Sequence, residues 1–156
     1  MKVAVVMGSK SDWPVMKAAC DTLAQFNIEY DVKVLSAHRT PDALQSWVKN
    51  LRDKGFAAVI AAAGGAAHLA GVVAAFTTLP VIGVPIKGAA FEGLDSLLSM
   101  VQMPPGIPVA TVAVNGAKNA ALLAIEIIAV FDSNVKSQLD TFRKEQADNV
   151  LSVTLD

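Results

Sequence analysis

The 156-residue chain has one cysteine and two histidines, and each scarcity excludes something. With Cys20 alone, no disulfide can form within the chain, which suits a reducing cytoplasm. Cys20 falls beside Met16 and Leu23 at helical spacing, the setting of a buried, inert thiol. One cysteine and two histidines are too few for a structural zinc site. Charge is sparse as well. Thirteen Lys and Arg against fourteen Asp and Glu leave a net charge of -1, so there is no broad basic face for nucleic acid or anionic lipid. From Phe56 to Ile86 there is no Asp, Glu, Lys or Arg, a stretch long enough to cross a bilayer. Gly64-Gly65 and Thr77-Thr78-Leu79-Pro80 break it into pieces of strand and short-helix length, and His68 falls near its middle. Buried parallel strands read as continuous apolar runs, so the stretch is assigned to a sheet and no membrane is involved. The run from Met1 to Met7 is too short for a signal peptide.

What is present is apolar: 53% hydrophobic residues against 17% charged. One domain of this length cannot hide so much apolar surface alone, which predicts a homo-oligomer. Strand and helix patterns alternate throughout, with no linker or repeat. Strands are expected at residues 2–7, 29–35, 57–62, 80–84 and 108–114. Helices are expected from Trp13, with Asp12 as N-cap, and from Pro41, with Thr40 as N-cap. Further helices are expected over 66–76, around Leu94, Leu97, Leu98 and Val101, and over 117–130. A last helix over 133–149, carrying Val135, Leu139, Phe142 and Gln146 on one face, follows a complete unit and has no strand left to reach. It packs across its own subunit or docks on a neighbour, and the neighbour is favoured. The domain is thus residues 1–131, with 132–156 as a C-terminal arm. The pattern is α/β: a three-layer, flavodoxin-like fold with a five-stranded parallel sheet in the order 2-1-3-4-5. That order brings the loops after Met7, Leu35 and Ala63 to one crevice.

Those loops hold the polar chemistry. Gly8-Ser9-Lys10-Ser11-Asp12 offers two hydroxyls and a helix N-terminus to an anion, although its spacing matches no nucleotide fingerprint. Asp12 is suited to ribose hydroxyls or to a simple capping role. Ser36-Ala37-His38-Arg39-Thr40-Pro41 sets an imidazole, which can move protons near neutral pH, beside a guanidinium that can hold a phosphate through two hydrogen bonds. Gly64-Gly65-Ala66-Ala67-His68 brings backbone amides close to a ligand, and a carboxylate could dock there. His68 is either a structural histidine or a substrate contact. Lys87 and Glu92 read as surface charges.

Four stretches in register resemble one family. They are Met7 to Trp13, Ser36 to Pro41, Ala63 to Leu69, and Leu94 to Pro104. They resemble the N5-carboxyaminoimidazole ribonucleotide mutases of purine biosynthesis, the class I catalytic subunits of phosphoribosylaminoimidazole carboxylase. The resemblance runs from Lys2 to about Ala129. It implies an isomerase that moves a carboxylate from the exocyclic nitrogen of an imidazole ribonucleotide to ring carbon C4, with no metal, ATP or biotin. It implies His38 as general acid and base, with Ser9, Asp12 and Arg39 binding substrate. Ser11, Ser36, Gly64, Gly65, Ala66 and His68 complete the expected site. It also implies an octamer with sites near subunit contacts. The chain departs from the family at Ala70, where proline is usual, at Phe76, where lysine is common, and in a shorter turn at Asn115-Gly116. Two other readings stay open. One is the class II relative, which adds free carbon dioxide to aminoimidazole ribonucleotide. The other is a non-catalytic flavodoxin-like nucleotide-binding module.

Overall fold

The computed structural model describes residues 1–155. Asp156, the last residue of the expected arm, lies outside the described residues. Five parallel strands form one sheet in the order β2-β1-β3-β4-β5. They are β1 (Lys2–Met7), β2 (Glu29–Val34), β3 (Phe56–Gly64), β4 (Val81–Ile86) and β5 (Ala110–Thr111). The helices are α1 (Trp13–Gln25), α2 (Pro41–Lys49), α3 (Leu69–Phe76), α4 (Leu94–Val101), α5 (Ala117–Ala129) and α6 (Ser133–Leu151).

Side-chain alternation along the inner strands builds two cores. Val3, Val5 and Met7 of β1 join Ala58, Ile60 and Ala62 of β3 on the face covered by α1 and α5. Ala4 and Val6 join Val59, Ala61 and Ala63 on the face covered by α2, α3 and Met100 of α4. Being buried on both faces is what made β1, β3 and β4 read as unbroken apolar runs. The charge-free stretch is β3, α3 and β4, and among the described residues no helix is long and apolar enough to cross a membrane. Ala70 is buried on α3, and Phe76 lies under the Lys49 ammonium, 5.9 Å from the ring centroid.

Several expected elements differ. The fifth strand is only two residues long, pairing Ala110 with Ile82 and Thr111 with Gly83. Pro108, just before it, has no N–H to give a ladder. The third helix starts at Leu69 rather than Ala66, so His68 is its N-cap residue and not part of its first turn. Asp12 makes no capping bond to α1, and Thr40 makes none to α2. The apolar stripe of α4 faces outward: Leu94, Leu98 and Val101 are 55%, 51% and 47% exposed, while Ser96 and Met100 are buried. Periodicity identifies an apolar face but not what covers it. The first half of α6 packs against its own subunit. Val135 and Leu139 join the α1–α5 core, and Phe142 meets Phe26 edge-on at 5.6 Å. Beyond that, Val150, Leu151, Val153 and Leu155 are exposed.

Register levels the strand ends: Met7 lies beside Val34 and Ala62, and Gly64 lies beside Ile86. The loops that leave these ends therefore stand side by side.

Candidate active site at the strand ends

The first loop is held by its own side chains. Ser9 caps a 3-10 turn over Lys10–Asp12, with its Oγ accepting from the Ser11 N–H at 3.3 Å. The Asp12 carboxylate accepts from the Ser9 N–H at 3.1 Å, closing a capping box. This is where the acid expected to cap α1 is engaged. Asp12 is only 6% exposed. Burial raises its pKa above the usual carboxylate value, against the opposing pull of the Ser9 N–H, the Ser11 hydroxyl and the Arg39 charge. The Ser11 hydroxyl donates to Ser9 Oγ at 2.8 Å, so the two hydroxyls stand together.

The second loop closes on Ser36. The Ser36 N–H donates to Thr40 Oγ1 at 2.9 Å, and Thr40 Oγ1 donates back to the Ser36 carbonyl at 3.1 Å. Thr40 therefore serves the loop instead of capping α2. Arg39 donates its backbone N–H to Ser36 Oγ at 3.2 Å and Nη2 to the Gly8 carbonyl at 2.7 Å. That last bond ties the second loop to the first.

The third loop turns at Gly65, whose φ of +62° is a left-handed conformation that suits glycine. Gly64 packs tightly on β4, where an added Cβ would lie 3.4 Å from the Ile86 carbonyl. His68 ends the loop, and its Nδ1 lies 2.8 Å from Nε2 of His38. One loop is thus bound to the next through Arg39, and that loop to the third through a pair of imidazoles.

Together these loops line a cavity of about 520 Å³. Every expected site residue lies on it: Ser9, Ser11, Asp12, Ser36, His38, Arg39, Gly64, Gly65, Ala66 and His68. Ala67, the remaining residue of the third loop, is buried in the core. The cavity also takes in Lys87, which sequence reasoning left on the surface, and Gly88 beside it. Lys87 pairs with Glu92, and its backbone N–H donates to Asn115 Oδ1 at 2.9 Å. The signal for Lys87 was topological. It follows β4, which ends beside β3, so its loop joins the same rim. Among the described residues, no cluster of His, Cys, Asp or Glu could hold a metal ion. The crevice offers two cations, a cluster of hydroxyls, a buried carboxyl, two imidazoles and a wall of small residues.

The model of one protein family, AIR carboxylase (AIRC), matches residues 2–149. The chain belongs to the AIR carboxylase family. Members named N5-carboxyaminoimidazole ribonucleotide mutase resemble it over most of its length. The one from Pyrococcus abyssi is 56% identical over 144 residues, 92% of this chain and 83% of that protein. The one from Bacillus subtilis is 52% identical over 151 residues, 96% of this chain and 93% of that protein. In three dimensions, the crystal structure of Treponema denticola PurE matches 96% of this chain and 93% of its own, with a TM-score of 0.86 and 30% identity. That likeness covers the five-stranded order and the helices on both faces, the fold of the AIR carboxylase family as this chain presents it.

Proposed function

We propose that this protein is an N5-carboxyaminoimidazole ribonucleotide mutase, an isomerase of purine biosynthesis that converts its substrate to 4-carboxyaminoimidazole ribonucleotide. The observation that carries this reading is the convergence of His38, Arg39 and the small-residue loop on one crevice. Such a substrate needs an anion site, a proton carrier and a place to confine carbon dioxide. Arg39, Ser9, Ser11 and Ser36 supply donors for the phosphate, and Asp12 accepts from ribose hydroxyls. Gly64, Gly65 and Ala66 bring backbone close to the migrating carboxylate, with His68 beside it.

The chemistry then needs one proton in and one proton out. His38 protonates the exocyclic nitrogen. The N–C bond breaks, its electrons stay on nitrogen, and carbon dioxide is released into the crevice. C4 attacks the trapped carbon dioxide, and His38 removes the C4 proton to restore aromaticity. Confinement makes recapture an intramolecular event. A single titratable group can serve both steps because the second proton transfer restores the proton that the first one gave away.

We further propose a homo-octamer working in the cytoplasm. Support comes from the exposed apolar stripe of α4 and from Val130, Phe131 and the C-terminal tail, which are apolar and exposed in the single chain. Light scattering should give eight times the 16.3 kDa chain mass.

Replacing His38 tests the chemistry. His38→Asn and His38→Gln should lose turnover by roughly 10²- to 10⁴-fold and still bind ribonucleotide. Near-normal turnover in both removes His38 from the mechanism.

A further inference from the structure

His38 and His68 stand on different loops, and their rings meet edge-on, at 89° with centroids 5.0 Å apart. Nε2 of His38 lies 2.8 Å from Nδ1 of His68. A contact that short holds one hydrogen, with one ring donating and the other accepting. Nε2 of His38 is therefore occupied. Its Nδ1 is the nitrogen left for a substrate in the crevice that both rings line.

We infer that His68 is a positioning residue: it accepts the Nε2–H of His38, so that Nδ1 of His38 carries the proton in both directions. The inference rests on the role of His38 proposed above. As an imidazolium, His38 has a hydrogen on each nitrogen. It holds Nε2–H against His68 and gives the Nδ1 hydrogen to the exocyclic nitrogen of the carbamate. The N–C bond breaks, its electron pair stays on nitrogen, and carbon dioxide departs. His38 is now neutral, with its hydrogen still on Nε2 and a lone pair on Nδ1. Once C4 has bonded to carbon dioxide, the C4 proton passes to that lone pair and the C–H electrons return to the ring. His38 is an imidazolium again, and the cycle neither gains nor loses a proton.

Without an acceptor at Nε2, neutral His38 can place its hydrogen on either nitrogen. The Nδ1–H form has no lone pair where the second step needs one. In catalytic triads and metal sites, a partner on the far nitrogen fixes the tautomer and orientation of a working imidazole in the same way. The opposite arrangement, His68 donating to Nε2, would put the neutral His38 hydrogen on Nδ1 and stop the cycle after one step. The inference therefore commits to one direction for the hydrogen bond.

The test is solid-state ¹⁵N NMR of the full-length, ligand-free protein labelled at histidine. The chain has only two histidines, so every ring signal belongs to this pair. Neutral His38 should show a protonated Nε2, an unprotonated Nδ1, and a magnetisation transfer from Nε2 to the His68 Nδ1. His68→Phe should give His38 in mixed tautomers. Its kcat should fall about 10- to 100-fold, the scale set by outer partners of working imidazoles, with KM changed less than about threefold. His68→Gln, which offers an amide oxygen as acceptor, should recover part of kcat. A neutral His38 with its hydrogen on Nδ1 overturns the inference. So does a His68→Phe enzyme in which KM rises and kcat holds, since His68 would then be a substrate contact only. Failure of the reaction role shows separately, as normal turnover in His38→Gln, and leaves the tautomer to be read on its own.

Discussion

Arg39 offers a perturbation whose size follows from the structure. Its Nη2 donates to the Gly8 carbonyl at 2.7 Å, and its Nε lies 3.4 Å from Ser36 Oγ. The guanidinium spends one corner on joining two loops and has others for an anion in the crevice. Arg39→Lys keeps the charge and removes the planar fork. One ammonium cannot hold the Gly8 carbonyl and a phosphate in the same fixed geometry. A hydrogen bond to a charged group is worth about 1.5–3 kcal/mol, so losing one should weaken ribonucleotide binding roughly 10- to 150-fold. Arg39→Gln loses the charge too and should fall at or beyond the upper end. Initial rates across a substrate series should show the change in KM, with kcat within about threefold of the parent. Circular dichroism on both variants confirms the fold. A KM within twofold of the parent in both variants refutes the reasoning. A kcat that falls at constant KM would refute it as well, because Arg39 would then act on the chemistry and not on binding.

Asp12 and Ser96 supply two further expectations. The Asp12 carboxyl has its pKa raised by burial, so the folded state binds its proton more tightly than the unfolded chain does. Ionised Asp12 thus costs stability above its folded pKa, and that cost fades as pH falls through it. Asp12→Asn keeps an acceptor for the Ser9 N–H, so it should raise the urea midpoint at neutral pH, by an amount that shrinks on acidification, while weakening substrate binding. A lower midpoint at neutral pH contradicts this. Ser96 is buried, and its hydroxyl reaches the Ile86 carbonyl at 2.9 Å and the Gly93 carbonyl at 3.0 Å, pinning α4 to the end of β4. Ser96→Ala should cost about 1–3 kcal/mol by urea unfolding at a fixed protein concentration. A cost under about 0.5 kcal/mol would mean that the hydroxyl carries no load.

The candidate site was legible because its polar residues are concentrated. Histidine, arginine and serine stand together at Ser36–Arg39, between an alternating strand and a proline-led helix, and right-handed crossovers carry that loop to the rim shared by the first and third. Contacts between loops could not be read. Nothing in the spacing of His38 and His68 shows that their rings touch, because that depends on how the loops after β2 and β3 reach toward each other across the end of β1. Lys87 looked like a surface charge for the same reason: its value lies in where β4 ends. Capping was misassigned at Asp12 and Thr40 because both side chains serve bonds within their own loops, which compete with the helix ends for the same oxygen. On α4 the periodicity marked the helix but carried no information on what its apolar face meets. Leu94, Leu98 and Val101 form an apolar stripe that a single chain leaves uncovered.

The central claim is that the carboxylate moves within one molecule's site, and isotope retention tests it most directly. The purified protein is given N5-carboxyaminoimidazole ribonucleotide labelled with ¹³C in its carboxylate, in unlabelled bicarbonate, without ATP or added metal. Formation of 4-carboxyaminoimidazole ribonucleotide that keeps the ¹³C is the predicted result. Product whose label has washed out, or product formed only from aminoimidazole ribonucleotide and bicarbonate, would contradict a confined carbon dioxide and point to carboxylation from solution.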